Sequence, residues 1–262
     1  MPKNDIFKNT KYFIIDMDGT FYLDGNIIEG SLEFLEHLKK NNIGFCFFTN
    51  NSSNDVNCCS QKLKKMGYDA EKEKIIISSH VTIDFLKEKR KNKSVFLLGN
   101  ERLTRDFLNA DINLVSENPD IVVLGFDTTL TYQKMWQACK FISNGAEYIA
   151  THPDFNCPTA DGFMPDTGSM MAFFKASTGK EPMVMGKPNS YTVDFLTKKL
   201  YCKKDVLCFV GDRLETDIAI GQNNNIPSVL VLTGVTTKEM YEGQSIKASL
   251  VAESLNSLCS EI

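Results

Sequence analysis

Long apolar runs are missing from this chain of 262 residues, and so is a strong excess of either charge. No stretch approaches the ~20 apolar residues that cross a bilayer, and the N-terminal segment lacks the apolar core of a signal peptide. The formal net charge of −4 gives no general attraction for nucleic acid or for an anionic membrane. We therefore expect a globular protein with no membrane partner and no nucleic-acid partner.

Cysteine and histidine do not occur in a metal-binding pattern. None of the eight cysteines forms a CxxC spacing, and the three histidines are isolated from one another. Scattered cysteines in a chain of this length indicate reduced thiols, and neither a disulfide scaffold nor a zinc site. This usage predicts a cytoplasmic location.

The short motifs for nucleotide and calcium binding are missing as well. No GxGxxG follows the first apolar run, and "ASTGKE" (176–181) lacks the upstream glycine and the Ser/Thr of a P-loop. In "DMDGTFYLDGNI" (16–27) glycine stands fourth instead of sixth, and Ile27 replaces the glutamate of a calcium loop. The sequence argues against an EF-hand and against nucleotide binding through these motifs.

Short apolar runs do alternate with amphipathic segments along the whole chain. The clearest predicted strands are "KYFIID" (11–16), "IGFCFFT" (43–49), "PDIVVLGF" (119–126), "DVLCFVGD" (205–212) and "PSVLVL" (227–232). Predicted helices such as "GSLEFLEHLKK" (30–40) and "NSYTVDFLTKKL" (189–200) separate them. Alternating β and α segments imply parallel sheets covered by helices, so the expected fold class is α/β.

The predicted strands outnumber those of one compact nucleotide-type sheet, which indicates two α/β bodies. We expect residues 79–181 to form an inserted α/β domain. Residues 1–78 and 182–262 would form a Rossmann-like core with a parallel sheet. No Pro/Gly-rich linker marks these boundaries in the sequence.

Polar residues fall at equivalent places in this pattern, after predicted strands or before a helix. They are Asp16 and Asp18, Thr49 and Asn50, Lys187, and Asp212 with Asp217. Taken singly, each has an ordinary explanation as a turn, a helix cap, a first-turn acid or a surface lysine. Taken together they would converge outside the carboxyl ends of the strands, where open parallel sheets bind ligands. Carboxylates crowded in this way predict a cation between them.

Four segments, "DMDGT", "FFTNNSS", "MGKPN" and "GDRLETD", occur in this order in the chain. They resemble the four motifs of the haloacid dehalogenase (HAD) superfamily of phosphatases. The middle of the chain, with "YIATHPDFNCP" and "GFMPDTGS", resembles the NagD-like or p-nitrophenylphosphatase branch of that superfamily. The likeness covers nearly the whole chain.

The resemblance implies a role for each matching residue. Asp16 would be the nucleophile that forms an aspartyl-phosphate, and Asp18 would act as general acid and then as general base. Thr49 and Asn50, with Asn51, would hold phosphate oxygens from a loop that opens a helix.

The resemblance also implies a Mg²⁺ cofactor. The Asp16 carboxylate, the backbone carbonyl of Asp18 and the Asp212 carboxylate would bind it, with Asp217 in the outer shell. Lys187 would neutralise charge on Asp16 and on the phosphoryl group.

The inserted segment lies between the second and third motifs, where this superfamily carries the large type II cap. Such a cap would cover the phosphate site and supply specificity contacts. The loop 152–168 is the candidate for these contacts, with His152 and Asp154 as candidate specificity residues, although it also fits a plain surface connection. Two residues depart from the branch, because His152 stands where asparagine is common and Asp166 occupies a usual glycine position.

The expected function is that of a Mg²⁺-dependent phosphatase of small soluble phosphomonoesters. Sugar phosphates and nucleoside monophosphates are examples of such substrates, and the expected partner is this small-molecule phosphate ester. Two alternatives stay open, namely a non-catalytic sensor of a phosphate ligand and a phosphotransferase on the same fold. A homodimer also stays open.

Overall fold

The computed structural model of the chain describes residues 5–159 and 162–262. Its strands are β1 (Tyr12–Ile15), β2 (Tyr22–Leu23), β3 (Asn26–Ile27), β4 (Gly44–Thr49), β5 (Ile75–Ile77), β6 (Val95–Leu98), β7 (Ile121–Leu124), β8 (Glu147–Ala150), β9 (Asn156–Thr159), β10 (Gly162–Pro165), β11 (Met183–Val184), β12 (Leu207–Gly211), β13 (Ser228–Val231) and β14 (Leu250–Ala252). Its α-helices are α1 (Ser31–Lys40), α2 (Val56–Lys65), α3 (Ser78–Lys89), α4 (Glu101–Asn109), α5 (Tyr132–Ser143), α6 (Thr167–Thr178), α7 (Ser190–Lys199), α8 (Ala219–Asn224) and α9 (Lys238–Tyr241). None of these helices has both the length and the apolar character of a membrane span.

The chain folds into two compact units. The first comprises the described residues of Met1–Thr49, Val56–Ile76 and Lys187–Ile262. It contains a six-stranded sheet in the order β14-β13-β12-β1-β4-β5, in which the pairs from β14 to β4 are parallel. Its central strands are buried almost throughout, as expected of a parallel sheet covered on both faces.

Aromatic side chains pack the first unit between sheet and helices. Phe13 of β1 meets Phe34 of α1 edge to face with ring centroids 5.6 Å apart, and both side chains are fully buried. Phe21 contacts Phe47 in the same way at 4.8 Å. These contacts hold the strands that carry the first two sequence motifs.

The second unit comprises the described residues of Asn50–Asp55 and Ile77–Gly186. Its parallel sheet has the order β11-β8-β7-β6, and a separate antiparallel pair joins β9 to β10. Buried side chains of β6, β7 and β8 form its apolar core together with side chains of α5 and with Phe174 of α6.

The expected α/β class with a parallel core sheet is confirmed. The sequence placed the inserted domain at 79–181, whereas the compact unit also takes in residues 50–55, 77–78 and 182–186. Hydrogen bonds explain the first addition, because Asn100 Nδ2 donates to Ser53 O at 2.8 Å and Ser52 Oγ lies 2.9 Å from Thr151 Oγ1. Strand pairing explains the last, because β11 lies beside β8. The role of this unit as a specificity cap stays a prediction.

Candidate active site

The carboxyl ends of three neighbouring strands position the site. In the sheet, Ile15 of β1 is level with Val210 of β12 and with Phe47 of β4. Asp16 follows directly, and its N–H donates to Val210 O at 2.9 Å. Asp212 follows the last residue of β12, so the two acids emerge at one edge of the sheet.

Gly19 is required where the first motif passes Asp212. Its φ of +82° lies in the left-handed region, and an added Cβ would approach Asp212 Oδ2 to 2.5 Å. The glycine of "DMDGT" therefore lets the backbone pass close to the second acid.

Lys187 connects the acids of the first unit. Its Nζ donates to Asp16 Oδ1 at 2.7 Å, to Asp217 Oδ1 at 2.6 Å and to Phe48 O at 3.2 Å. All three ammonium protons thus have acceptors, although the side chain is only 3% exposed. Burial lowers the pKa of Lys187, but the carboxylates of Asp16 and Asp217 outweigh burial and raise that pKa above its ordinary value.

Asp217 lies in a π-helical turn, Leu214–Ile218, directly before α8. Its Oδ1 accepts from Lys187, and its Oδ2 accepts from the backbone N–H of Arg213 at 3.1 Å. These contacts suit Asp217 to orienting Lys187, and its place in the outer shell of a cation stays a prediction.

Burial raises the pKa of Asp16 well above its usual range; Lys187 opposes this effect, whereas Asp217 and Asp212 reinforce it. Burial, followed by the charge of Asp217, also raises the pKa of Asp212 to about 6, against hydrogen bonds from Val235 N–H and Thr20. The ionised site is therefore electrostatically costly without a cation.

The residues present fit a divalent cation. Asp16, Asp212 and Asp217 each offer a carboxylate oxygen, and these oxygens lie within 4.8 Å of one another. Lys187 balances only one of the three charges when all three acids are ionised. Oxygen donors with surplus negative charge are what Mg²⁺ prefers. The assignment of Asp16 and Asp212 as its ligands stays a prediction.

The Asp18 carboxylate has a separate set of partners. The Tyr22 hydroxyl donates to Asp18 Oδ2 at 2.6 Å, and Lys62 Nζ donates to Asp18 Oδ1 at 3.1 Å. Burial and then the Asp18 charge raise the pKa of Tyr22 well above its usual range, so its hydroxyl stays a donor. Sequence reasoning missed both partners. Tyr22 is only four positions beyond Asp18, whereas no local pattern points to Lys62.

The three polar residues at the end of β4 and directly after it divide between the two units. Thr49 is the last residue of β4 and is buried in the first unit. In the second unit, Ser78 Oγ donates to Asn50 O at 2.6 Å. Asn51 Oδ1 accepts from Ser53 N–H at 3.1 Å, which closes a turn within the same loop. The phosphate-binding roles of these three residues stay predictions.

The two departures from the family pattern contact each other within the second unit. His152 is fully buried, with Nε2 2.8 Å from Asp166 Oδ1 and Nδ1 2.9 Å from Thr151 Oγ1. Asp166 caps α6, because its Oδ1 also accepts from Thr167 N–H at 2.5 Å. Asp154 lies close to this pair. Such burial suits His152 to ordering the loop, and its predicted role in specificity stays untested, as does that of Asp154.

Comparison with known proteins covers nearly the full chain. A sequence profile described as haloacid dehalogenase-like hydrolase matches residues 13–113, and a second HAD-hydrolase-like profile matches residues 184–258. An acid sugar phosphatase from Staphylococcus haemolyticus is 33% identical over 256 residues, which is 97% of each chain. Together the two profiles span all four sequence motifs.

Solved structures show the same similarity. The crystal structure of a 4-nitrophenylphosphatase from Thermotoga maritima superposes with a TM-score of 0.93 at 44% identity, covering 97% of this chain and 98% of that one. A glycerol phosphate phosphatase from Mycobacterium tuberculosis, solved in complex with magnesium, gives a TM-score of 0.89 at 26% identity. That match covers 100% of this chain and 80% of the other.

Proposed function

Since the chain belongs to the haloacid dehalogenase-like hydrolase family, as its four motifs predicted, we propose that it is a Mg²⁺-dependent phosphatase of small soluble phosphomonoesters. It would act through an aspartyl-phosphate on Asp16. The observation that carries this proposal is the buried arrangement in which Lys187 joins Asp16 to Asp217, with Asp212 beside them.

Asp16 is the proposed nucleophile. Lys187 donates to its Oδ1, and we assign the attack on phosphorus to the other carboxylate oxygen. A bond then forms between this oxygen and phosphorus while the ester P–O bond breaks, and Asp18 gives its proton to the leaving oxygen. Water next attacks the phosphorus of the aspartyl-phosphate, and Asp18 accepts a proton from that water. The bond between phosphorus and the Asp16 oxygen breaks, which restores the Asp16 carboxylate and releases inorganic phosphate.

A phosphate ester can bind beside the acids of the site only if their negative charge is compensated. A phosphate dianion about 4 Å from one carboxylate meets roughly 8 kcal/mol of repulsion at an effective dielectric constant of 20. Lys187 offsets part of this repulsion. Mg²⁺ held by Asp16 and Asp212, with the Asp18 carbonyl, would neutralise further negative charge on the carboxylates and the phosphoryl group. Thr49 is proposed to bind a phosphoryl oxygen.

The names of the relatives support the proposed substrate class. The Staphylococcus haemolyticus relative is called an acid sugar phosphatase, and the Mycobacterium tuberculosis relative a glycerol phosphate phosphatase. Both names denote hydrolysis of phosphate esters of small polyhydroxy compounds. Alkyl esters of this kind have poor leaving groups, and a general acid such as Asp18 is most useful for them.

The test is phosphate release from a panel of sugar phosphates, glycerol phosphate, nucleoside monophosphates and p-nitrophenyl phosphate. Release that requires Mg²⁺, stops in excess EDTA and is absent from Asp16→Asn supports the proposal. Full activity in EDTA would refute the metal dependence. Binding of these esters without turnover would favour a sensor, and transfer to an added alcohol in preference to water would favour a phosphotransferase.

A further inference from the structure

We infer that Tyr22 and Lys62 are positioning residues that hold the Asp18 carboxylate at the angle needed for proton transfer to the leaving group. The two residues are called the Asp18 clamp below. This inference rests on the proposed function, because it assigns Asp18 the part of general acid. It goes further by naming what orients that acid.

The contacts form a closed triangle. Tyr22 donates to one carboxylate oxygen of Asp18 and Lys62 donates to the other, at 2.6 and 3.1 Å. Lys62 Nζ also donates to the Tyr22 hydroxyl at 3.0 Å and lies 4.1 Å from the centre of the Tyr22 ring. With a separate donor on each oxygen, the carboxylate is fixed in position and in rotation about its last bond.

Backbone hydrogen bonds fix the position of Tyr22. Tyr22 is 3% exposed, its N–H donates to Met17 O at 3.1 Å, and its carbonyl accepts from Gly19 N–H at 2.8 Å. Tyr22 therefore belongs to the same tight turn that carries Asp18. Lys62 reaches the turn from α2, forty-four positions along the chain.

The ion pair between Lys62 and Asp18 contributes little to the stability of the fold. The side chains of Lys62 and Asp18 are 44% and 51% exposed, and ion pairs at such exposure contribute little to folding. The two donors instead restrict the direction in which the Asp18 carboxyl group points. General acid catalysis depends on that direction, because the proton must come within hydrogen-bonding reach of the departing oxygen. Without the Tyr22 hydroxyl, one oxygen loses its donor and the group rotates more freely.

The test compares kcat/KM for glycerol phosphate and for p-nitrophenyl phosphate in Tyr22→Phe and Lys62→Met. p-Nitrophenolate leaves without a proton, whereas an alkoxide needs one. We expect each variant to lose about 10-fold in kcat/KM on the alkyl ester, which is less than the ~10²–10⁴-fold that the general acid itself contributes. On p-nitrophenyl phosphate we expect a loss of less than about 2-fold. Lys62→Arg keeps a donor at this position, so its kcat/KM on the alkyl ester should stay close to that of the wild type.

Matched controls are available in the same unit. Tyr68→Phe removes a hydroxyl from the neighbouring aromatic cluster, and Lys65→Met removes a charge from the same helix. Both should leave the ratio of the two kcat/KM values unchanged. In an Asp18→Asn background, adding Tyr22→Phe or Lys62→Met should cause no further loss on the alkyl ester, because the group that they position is gone.

The outcomes separate the clamp from the proposed function. Equal losses of kcat/KM on both substrates would refute the clamp and leave the proposed phosphatase function standing. The same would follow if Tyr22→Phe or Lys62→Met lowered kcat/KM as much in the Asp18→Asn background as in the wild type. If wild-type protein releases no phosphate from any ester with Mg²⁺, the proposed function fails and the clamp fails with it. If Tyr22→Phe does not fold, Lys62→Met and Lys62→Arg decide the question alone.

Discussion

Replacing Lys187 by methionine tests the charge arrangement of the site. Methionine keeps much of the side-chain length but removes the ammonium group that pairs with Asp16 and Asp217. The side chains of these two acids are only 14% and 3% exposed, so each would be left as a buried, uncompensated carboxylate. Breaking a buried ion pair in this way costs about 3–5 kcal/mol, and we expect Lys187→Met to lower the free energy of unfolding by this amount.

The assay is urea denaturation at pH 7 in EDTA, so that no divalent cation replaces the lost charge. Far-UV circular dichroism should be the probe, because the single tryptophan lies in the second unit. Lys65→Met, a change of an exposed lysine, should stay within about 0.5 kcal/mol of wild type. A loss below about 1 kcal/mol for Lys187→Met would show that the buried charges are not held as the geometry indicates.

Asp217→Asn gives the matched comparison. It removes one of the two acids that pair with Lys187 and keeps the hydrogen-bonding shape. If the two residues act as a pair, the double variant Lys187→Met with Asp217→Asn should be more stable than the sum of the single losses predicts, by about 1–3 kcal/mol. Additive losses would mean that the two residues do not interact energetically.

Three further predictions concern the metal and the loop. Asp212→Asn should raise the Mg²⁺ concentration needed for half-maximal activity at least about 10-fold, measured by metal titration, since it removes a charged oxygen ligand. Replacing Mg²⁺ by Ca²⁺ should leave little turnover, because Ca²⁺ prefers a larger and looser shell; equal rates with both ions would contradict this. Asp166→Gly should cost about 2–4 kcal/mol in urea denaturation, because it removes the carboxylate that contacts the buried His152 Nε2 and that caps α6. His152→Asn combined with Asp166→Gly should cost less than the sum of the single changes.

Strand ends were the part of the site that the sequence predicted best. The apolar runs before Asp16 and Asp212 are β1 and β12, and their parallel pairing brings the two acids to one sheet edge. Periodicity and the position of polar residues after a strand are local signals, so one sequence suffices to read them. Lys187 had no such local signal, and the resemblance to the family supplied its role.

Contacts between distant segments were not predictable in this way. Lys62 and Asp18 are far apart in sequence, and a lysine in a solvated helix looks like any other surface charge. The contact of His152 with Asp166 was likewise hidden, although both residues had been noted as departures from the family pattern. Which distant side chains meet depends on the path of the backbone between them. Composition and residue spacing do not specify that path.

Trapping the phosphorylated enzyme tests whether Asp16 is the nucleophile. Wild-type protein is mixed with Mg²⁺ and a phosphate ester that it hydrolyses. The reaction is quenched in acid within the first turnover, and the protein is digested for mass spectrometry. We expect one added phosphoryl group on the peptide that carries Asp16, and none in Asp16→Asn or in protein quenched without Mg²⁺. Turnover with no phosphopeptide at Asp16, or with the phosphoryl group on another residue, would contradict the proposed covalent mechanism.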